Sequence, residues 1–185
     1  MDTKRDDTRA TRRHGRGITL LEIAVVLAVT AIVAATAVPS LANLVMARRL
    51  EGAATGLAAD LQFVRSEALA RNRSLRLSVR NGADATCWIV HAGAAGDCAC
   101  TVAAGVVCVA GTSAIRSIVL PVGERVSVSA NVASIVFDPL HGTSTPTGTL
   151  RVVDARGRAV HHVVNVVGRV RSCSPDGAVA GYPAC

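Results

Sequence analysis

Residues 168–185 carry a pair of arginines followed by a segment that two cysteines enclose. Arg169 and Arg171 lie two positions apart, so in an extended backbone their guanidinium groups project on the same side. Two guanidiniums on one face can bind successive phosphates of a nucleic acid. Cys173 and Cys185 bound a Gly- and Pro-rich loop that a disulfide would close. A solvated strand edge without a ligand is the competing interpretation, and composition alone favours it.

Other basic residues precede this pair along the chain. Residues 151–185 contain five Arg against two Asp, a local charge of +3, and the additional arginines are Arg151, Arg156 and Arg158. The only aromatic ring in this region is Tyr182, so the bases of a nucleic acid would find little to stack on. Any nucleic-acid binding should therefore be mainly electrostatic and independent of sequence.

The cysteines are the second set of reactive groups. The chain has six, all beyond its apolar N-terminal segment: Cys87, Cys98, Cys100, Cys108, Cys173 and Cys185. An even number on one side of a membrane segment predicts disulfides formed in an oxidising compartment. A metal site is disfavoured, because no histidine lies at ligand spacing from the Cys98–Cys100 pair. The first four cysteines allow three connectivities, and a Cys98–Cys100 bond would close a strained ring, which favours outward pairing for both.

The remaining polar residues form no pattern typical of an active site. His161 and His162 are adjacent on a predicted strand, so their side chains point to opposite faces and cannot share one site. The sequence contains no recognisable nucleophile motif, phosphate loop, zinc-protease signature or dinucleotide fingerprint. We therefore expect a protein that is not an enzyme and that holds no cofactor and no metal.

The N-terminus reads as a short leader followed by a membrane-spanning helix. Residues 1–17 are strongly basic, whereas residues 18–38 are apolar and contain a single charge, Glu22. As a helix this run is about 30 Å long, the thickness of a bilayer core. An ordinary secretory signal would place a small-residue cleavage site after the apolar run. Here Gly17 precedes the run, which would be kept after cleavage.

Glu22 is costly in lipid and is therefore a functional candidate. Cleavage after Gly17 would create a free amine at Ile18, a natural partner for the Glu22 carboxylate. The segment from Gly17 to Glu22, the apolar run and Pro39 resemble the signal of type IV pilins and pseudopilins. The resemblance implies that a prepilin peptidase cuts between Gly17 and Ile18 and methylates Ile18. It also implies that Glu22 supports recognition and subunit registration in a filament with other pilins.

The rest of the chain predicts an α+β fold, a long helix packed on a small antiparallel β-sheet head. Residues 39–71 continue the helix, with one apolar stripe made of Leu50, Ala54, Leu57, Leu61, Val64 and Ala68. Gly52 and Gly56 argue against an uninterrupted helix. Residues 72–167 predict the β-rich head, with strands over 74–79, 87–92, 114–120, 125–130, 134–137, 149–154 and 159–167. Residues 92–111 and 142–148 are predicted as loops, and residues 168–185 as the disulfide-bounded tail.

The segment from Leu61 to Ala68 and the Cys87-Trp88 strand resemble FimT/GspH-type minor pilins. That resemblance implies two small antiparallel sheets packed on the helix. Gly168, Arg169 and Arg171 match the Gly-Arg-x-Arg motif of the FimT type, which implies capture of double-stranded DNA in natural transformation. The alternatives are a structural minor pilin that primes pilus assembly and a GspH-like pseudopilin of type II secretion. The resemblance places the chain in the inner membrane, single-pass with a periplasmic head, before assembly into a pilus or pseudopilus.

Overall fold

The computed structural model describes residues 19–185, except for the side chains of residues 36–39. One helix, α1, runs from Leu20 to Ala70 and is followed by eleven strands. The chain divides into two compact units, Met1–Leu41 and Ala42–Cys185, which are treated separately below. The proposed cleavage site between Gly17 and Ile18 lies outside the described residues.

The first unit contains the N-terminal part of α1. Thr19 caps the helix, because its hydroxyl accepts a hydrogen bond from the Glu22 backbone N–H at 3.2 Å. The described aliphatic side chains that follow are exposed, including Leu21, Val26 and Ile32. The helix has an apolar stretch long enough to cross a membrane, with a mean hydropathy of 2.4 and no buried residue in that window. An exposed apolar helix of this length is typical of a membrane anchor.

The second unit begins with the remainder of α1. The stripe predicted from the sequence is confirmed, since its six members are 0% exposed: Leu50, Ala54, Leu57, Leu61, Val64 and Ala68. The helix continues through Gly52 and Gly56, the two positions that weaken its signal in the sequence. A side chain added at Gly56 would meet the ring of Trp88 at 3.7 Å.

The strands form two antiparallel sheets and a separate hairpin. Their bounds are β1 Leu75–Asn81, β2 Ala85–His91, β3 Cys98–Thr101, β4 Gly105–Cys108, β5 Ala114–Pro121, β6 Val126–Ala130, β7 Ser134–Phe137, β8 Ser144–Thr145, β9 Gly148–Asp154, β10 Ala159–Val164 and β11 Val170–Cys173. Sheet 1 has the order β5-β2-β1-β7-β8 and sheet 2 the order β11-β10-β9-β6. Strands β3 and β4 pair only with each other. The implied arrangement of two small sheets on a helix is confirmed.

Three predicted segments differ from the structure. The predicted loop 92–111 contains the hairpin β3–β4, whose Ala-, Gly- and Cys-rich strands carry little hydrophobic alternation. The last predicted strand ends at Val164 rather than Val167, because the chain turns at residues 165–168 and Gly168 has a φ of 72°. The predicted loop 142–148 contains the two-residue strand β8, which pairs with β7.

One hydrophobic core joins the helix stripe to the inner faces of both sheets. The opposite face of sheet 1 packs on β3 and β4 through a second cluster that contains Cys87, Ile89, Cys98 and Cys100. Within the described residues, every buried side chain and all three disulfides belong to the unit Ala42–Cys185. This unit therefore has everything that a domain needs to fold on its own.

A buried polar contact fixes the helix to sheet 1. The indole N–H of Trp88 donates to Asp60 at 2.7 Å, and Arg116 forms an ion pair with the same carboxylate at 3.1 Å. The Arg116 guanidinium also lies 4.7 Å from the ring centre of Phe63. Asp60 is only 3% exposed, so its charge is compensated by both partners.

Candidate nucleic-acid interface

Sheet 2 has an inner face in the core and an outer face turned away from it. Alternation along the strands places Val152, Val160 and His162 inward, where they are buried. The outer face consists of the residues between them, which are Ser127, Ser129, Thr149, Arg151, Val153, His161, Val163 and Arg171. The strand register sets Arg171 opposite Val163 and Arg151 opposite His161. The outer face therefore carries basic and hydroxyl side chains and no aromatic ring.

Arg169 and Arg171 lie at the edge of this face, on and just before the edge strand β11. Both side chains are exposed. Among the described residues, neither guanidinium takes part in a hydrogen bond or an ion pair. The two arginines line an open pocket of about 510 Å³ together with Val163, Asn165 and Val170. Arg171 belongs to β11 and Arg169 directly precedes it, and the shared pocket is the observation that brings the two arginines together.

A tight turn precedes β11 and sets the direction of the arginines. The side-chain oxygen of Asn165 accepts the Arg169 N–H at 2.9 Å, and the Asn165 carbonyl accepts the Gly168 N–H at 2.9 Å. Gly168 is buried and has a left-handed backbone conformation that favours glycine. A Cβ at this position would collide with the carbonyl oxygen of Gly142, which accepts a hydrogen bond from Arg65 Nε at 3.0 Å. The turn thereby packs close to Arg65 of helix α1.

The tail holds β11 from its other end. Cys173 is bonded to Cys185, and the chain folds back so that the Ser174 N–H donates to the Pro183 carbonyl at 2.8 Å. The buried Ser174 hydroxyl donates to the Ala159 carbonyl at 2.9 Å and accepts the Val179 N–H at 3.1 Å. Sequence reasoning missed Ser174, because a serine after a cysteine gives no signal of a buried, fully bonded hydroxyl.

The three additional arginines occupy different environments. Arg151 is exposed on the outer face, on strand β9, which β10 separates from β11. Arg158 is half-buried, and its Nε donates to the buried Asp154 at 2.8 Å while Nη2 lies 2.7 Å from the same oxygen. Arg156 is exposed in the β9–β10 turn, at the opposite end of β10 from the Asn165 turn. Only Arg151 therefore shares the outer face with Arg171.

The adjacent histidines point to opposite sides of β10. His162 is 0% exposed, and its Nδ1 lies 2.8 Å from the Ser172 hydroxyl. Burial lowers the pKa of His162 to about 4. His161 is half-buried on the outer face, and burial together with the nearby Arg151 guanidinium lowers its pKa. Both side chains are therefore neutral at neutral pH.

Two sequence-family models match this chain. The model described as Type II transport protein GspH matches residues 53–168, and the prokaryotic N-terminal methylation motif matches residues 12–38. The chain belongs to the GspH family. It is a minor type IV pilin or pseudopilin, a class of structural rather than catalytic proteins. The GspH match ends at Gly168, so Arg169, Arg171 and the cysteine-bounded tail lie beyond the family model.

Two solved structures resemble this GspH-family chain. One is the type IV minor pilin FimU of Pseudomonas aeruginosa, with 18% sequence identity over 68% of this chain and 96% of that chain, and a TM-score of 0.48. The other is the minor pseudopilin EpsH from the Type 2 Secretion System of Vibrio cholerae, with 11% identity over 68% and 96% of the two chains and a TM-score of 0.45. No curated protein sequence matches the chain.

The methylation motif accounts for the N-terminal residues of this GspH-family chain. It implies processing by a prepilin peptidase and assembly with other pilins. Glu22 lies in the first turn of α1 and is exposed. The apolar helix that contains it anchors the chain in a membrane before assembly into a pilus or pseudopilus.

The other four cysteines lie away from the outer face of sheet 2. The structure pairs Cys87 with Cys100 and Cys98 with Cys108, so both members of the C-x-C pair reach outward. Among residues 19–185, no cysteine is free and no cluster of side chains could hold a metal ion. The Cys87–Cys100 bond ties the β3–β4 hairpin to sheet 1, whereas the Cys98–Cys108 bond links the two strands within the hairpin.

Proposed function

We propose that this minor pilin binds double-stranded extracellular DNA without sequence preference, for uptake in natural transformation. Arg169 and Arg171 are the main contacts, and Arg151 is a further contact on the same face. The observation that supports the proposal is a pair of exposed, unengaged guanidiniums on and just before one edge strand. Such a pair is suited to successive phosphates, which accept charge-assisted hydrogen bonds from guanidinium groups.

Restraint of β11 makes the two contacts more effective. The Gly168 turn holds one end of the strand, and the Cys173–Cys185 bond with Ser174 holds the other. Arginine side chains on a fixed backbone lose less freedom when they bind than those on a flexible tail. The restraint therefore supports DNA binding over a solvated strand edge.

The composition of the outer face argues for contact with the DNA backbone. It carries arginine, serine and threonine side chains, which bond to phosphate oxygens, and it offers no aromatic ring on which a base could stack. Arg156 and Arg158 are not part of the proposed contact set. Arg158 is held by Asp154, and Arg156 lies about five strand residues, roughly 17 Å, from the Arg171 row.

A binding assay with the unit Ala42–Cys185 tests the proposal. Its affinity for a short labelled duplex should be independent of sequence and should fall steeply with salt, since each neutralised phosphate releases counterions. Replacing Arg169→Gln together with Arg171→Gln should lower the affinity roughly tenfold or more and flatten the salt slope by about two units at most. Unchanged circular dichroism would show that the fold is intact.

The matched control is Arg48→Gln with Arg49→Gln, which removes the same charge from exposed helix positions outside sheet 2. This control should retain most of the affinity. An equal loss from both double variants would show generic basicity and would contradict the proposed site. Binding that is unaffected by the Arg169 and Arg171 changes would favour a purely structural minor pilin that primes assembly.

A pseudopilin of type II secretion is the second candidate, favoured by the description of the matching family. Neighbouring genes separate the two: pilus and competence genes support the first proposal, and secretion genes support the second. For either role we propose a periplasmic head before assembly, cleavage between Gly17 and Ile18, and methylation of Ile18. Gly17→Arg should leave the full-length precursor in the membrane, which mass spectrometry of the N-terminus would detect. Glu22→Ala should permit export but impair incorporation into filaments.

A further inference from the structure

His161 lies at the centre of the outer face of sheet 2. It sits on β10, directly opposite Arg151 of β9 and Cys173 of β11. Its Nδ1 is 3.9 Å from the Sγ of Cys185 in the tail. The side chain is half-buried, so part of the imidazole ring reaches the surface between the two arginine-bearing strands. No role of a structural pilin head accounts for a histidine at this position.

The charged groups around His161 are basic. Arg151 faces it from β9. Arg171 lies on β11 opposite Val163 and is therefore the diagonal neighbour of His161. The outward neighbour on its own strand is the apolar Val163. The acid on β9, Asp154, is buried and already paired with Arg158. A proton on His161 would therefore add a positive charge beside Arg151 and Arg171.

We propose that His161 is a fourth DNA contact, which forms only when the imidazole is protonated and so tightens DNA binding in acidic surroundings. The inference rests on the proposed DNA-binding function and concerns the same face. An imidazolium between Arg151 and Arg171 would place three cations across neighbouring strands, spaced by about 5 Å per strand. A phosphate held between them would receive charge-assisted hydrogen bonds from more than one strand.

The free protein resists this protonation and DNA favours it. Burial and Arg151 lower the pKa of His161, so the imidazole is neutral at neutral pH. A phosphate beside the ring stabilises the charged form, and by linkage DNA must then raise the pKa of His161. The rise in the pKa of His161 on DNA binding and the gain in DNA affinity at low pH measure the same coupling free energy.

The experiment measures binding of the unit Ala42–Cys185 to a labelled duplex between about pH 8 and about pH 5 at constant ionic strength. The wild type should bind roughly two- to fivefold more tightly at the lower pH, as one solvent-screened ion pair allows. Its salt slope should steepen by up to about 0.9 units. His161→Gln should lose this gain. His141→Gln is the matched control, because His141 is an exposed histidine outside sheet 2, and it should keep the gain.

A second measurement does not depend on any variant. Nuclear magnetic resonance titration of the His161 ring should give a higher pKa with DNA than without it, while the buried His162 should not shift. A pH response that survives in His161→Gln, or a His161 pKa that DNA leaves unchanged, would overturn the inference while DNA binding itself stands. Absence of DNA binding at every pH would instead overturn the proposed function, and this inference with it.

Discussion

The outer faces of the two sheets carry similar residues but differ in what covers them. On sheet 1, the arginines of β1 are engaged: Arg76 donates to the Ser134 hydroxyl at 2.9 Å, and Arg80 Nε donates to the Cys98 carbonyl at 3.0 Å. The β3–β4 hairpin lies over this face and is held there by the Cys87–Cys100 disulfide. On sheet 2 only the tail, through Cys185, lies against the described part of the face, and Arg169 and Arg171 keep their donors free.

The comparison shows that an arginine indicates a binding surface only when its guanidinium has no partner within the fold. A guanidinium with a carbonyl or hydroxyl partner in the fold must break that contact before it can bind a phosphate. A free guanidinium gives up only water. Arg80 and Arg158 therefore belong to the architecture of the head, whereas Arg169 and Arg171 are available to a ligand. The following changes should alter one sheet without altering the other.

The largest effect should come from opening the covered face of sheet 1. Replacing Cys87→Ser with Cys100→Ser should lower the free energy of unfolding by about 3 kcal/mol, the value expected for a disulfide that closes a loop of this length. Chemical denaturation would measure the loss. DNA affinity of the folded variant should be unchanged, since the bond lies away from sheet 2. A drop in affinity as large as that of the Arg169 and Arg171 variant would break the distinction between the sheets.

Acid should destabilise the head through histidines on both sheets. Because the pKa of His162 is depressed to about 4, the unfolded chain binds more protons than the folded one between its ordinary value of 6.5 and 4. Stability should therefore fall as pH drops through this window, by about 3 kcal/mol from His162. Burial and nearby arginines also lower the pKa of His91 on β2 of sheet 1, which adds to the dependence of stability on pH. A free energy of unfolding that does not change with pH across this range would contradict the neutral, buried state of both rings.

Substituting each of the two arginines of the β9–β10 turn should distinguish a structural ion pair from an exposed charge. Arg158→Gln should cost about 2 kcal/mol of stability, because it leaves the buried Asp154 carboxylate without its ion-pair partner. Arg156→Gln removes the same charge from an exposed position and should change stability by less than about 0.5 kcal/mol. Thermal unfolding of the two variants side by side checks the difference. Equal stabilities would show that the Asp154 pair contributes nothing to the fold.

A smaller effect should come from an arginine on the outer face of sheet 1. Arg76→Gln removes the hydrogen bond to Ser134 and should cost about 1 kcal/mol of stability. Its effect on DNA affinity should be well below that of Arg171→Gln, although each variant loses one charge. Fluorescence anisotropy with a common duplex would rank the two. The reverse order would move the proposed interface from sheet 2 to sheet 1.

Local patterns in the sequence predict much of this architecture. The apolar stripe of the helix and most of the predicted strands are periodic signals, and the structure follows them. The β3–β4 hairpin could not be predicted, since its short Ala-, Gly- and Cys-rich strands carry little hydrophobic alternation.

Contacts between distant residues explain what else the sequence does not reveal about the site. The need for glycine at position 168 arises from Gly142 and Arg65, and the anchoring of the tail arises from Ala159 and Ser174. The partner of Arg158 is near in sequence, yet only burial of Asp154 makes that pair structural. Residue types give the possible contacts, but the fold decides which arginines are already occupied.

Trp88 gives this molecule an internal optical reporter. It is the single tryptophan of the chain, 1% exposed, with its indole bonded to Asp60 at the junction of helix and sheet 1. Its emission should be blue-shifted in the native head and move to longer wavelength when the helix separates from the sheet. DNA on the outer face of sheet 2 would be too remote to quench it. One fluorophore can therefore follow unfolding in the presence of DNA without a label, and an increase in the midpoint would measure the coupling between binding and stability.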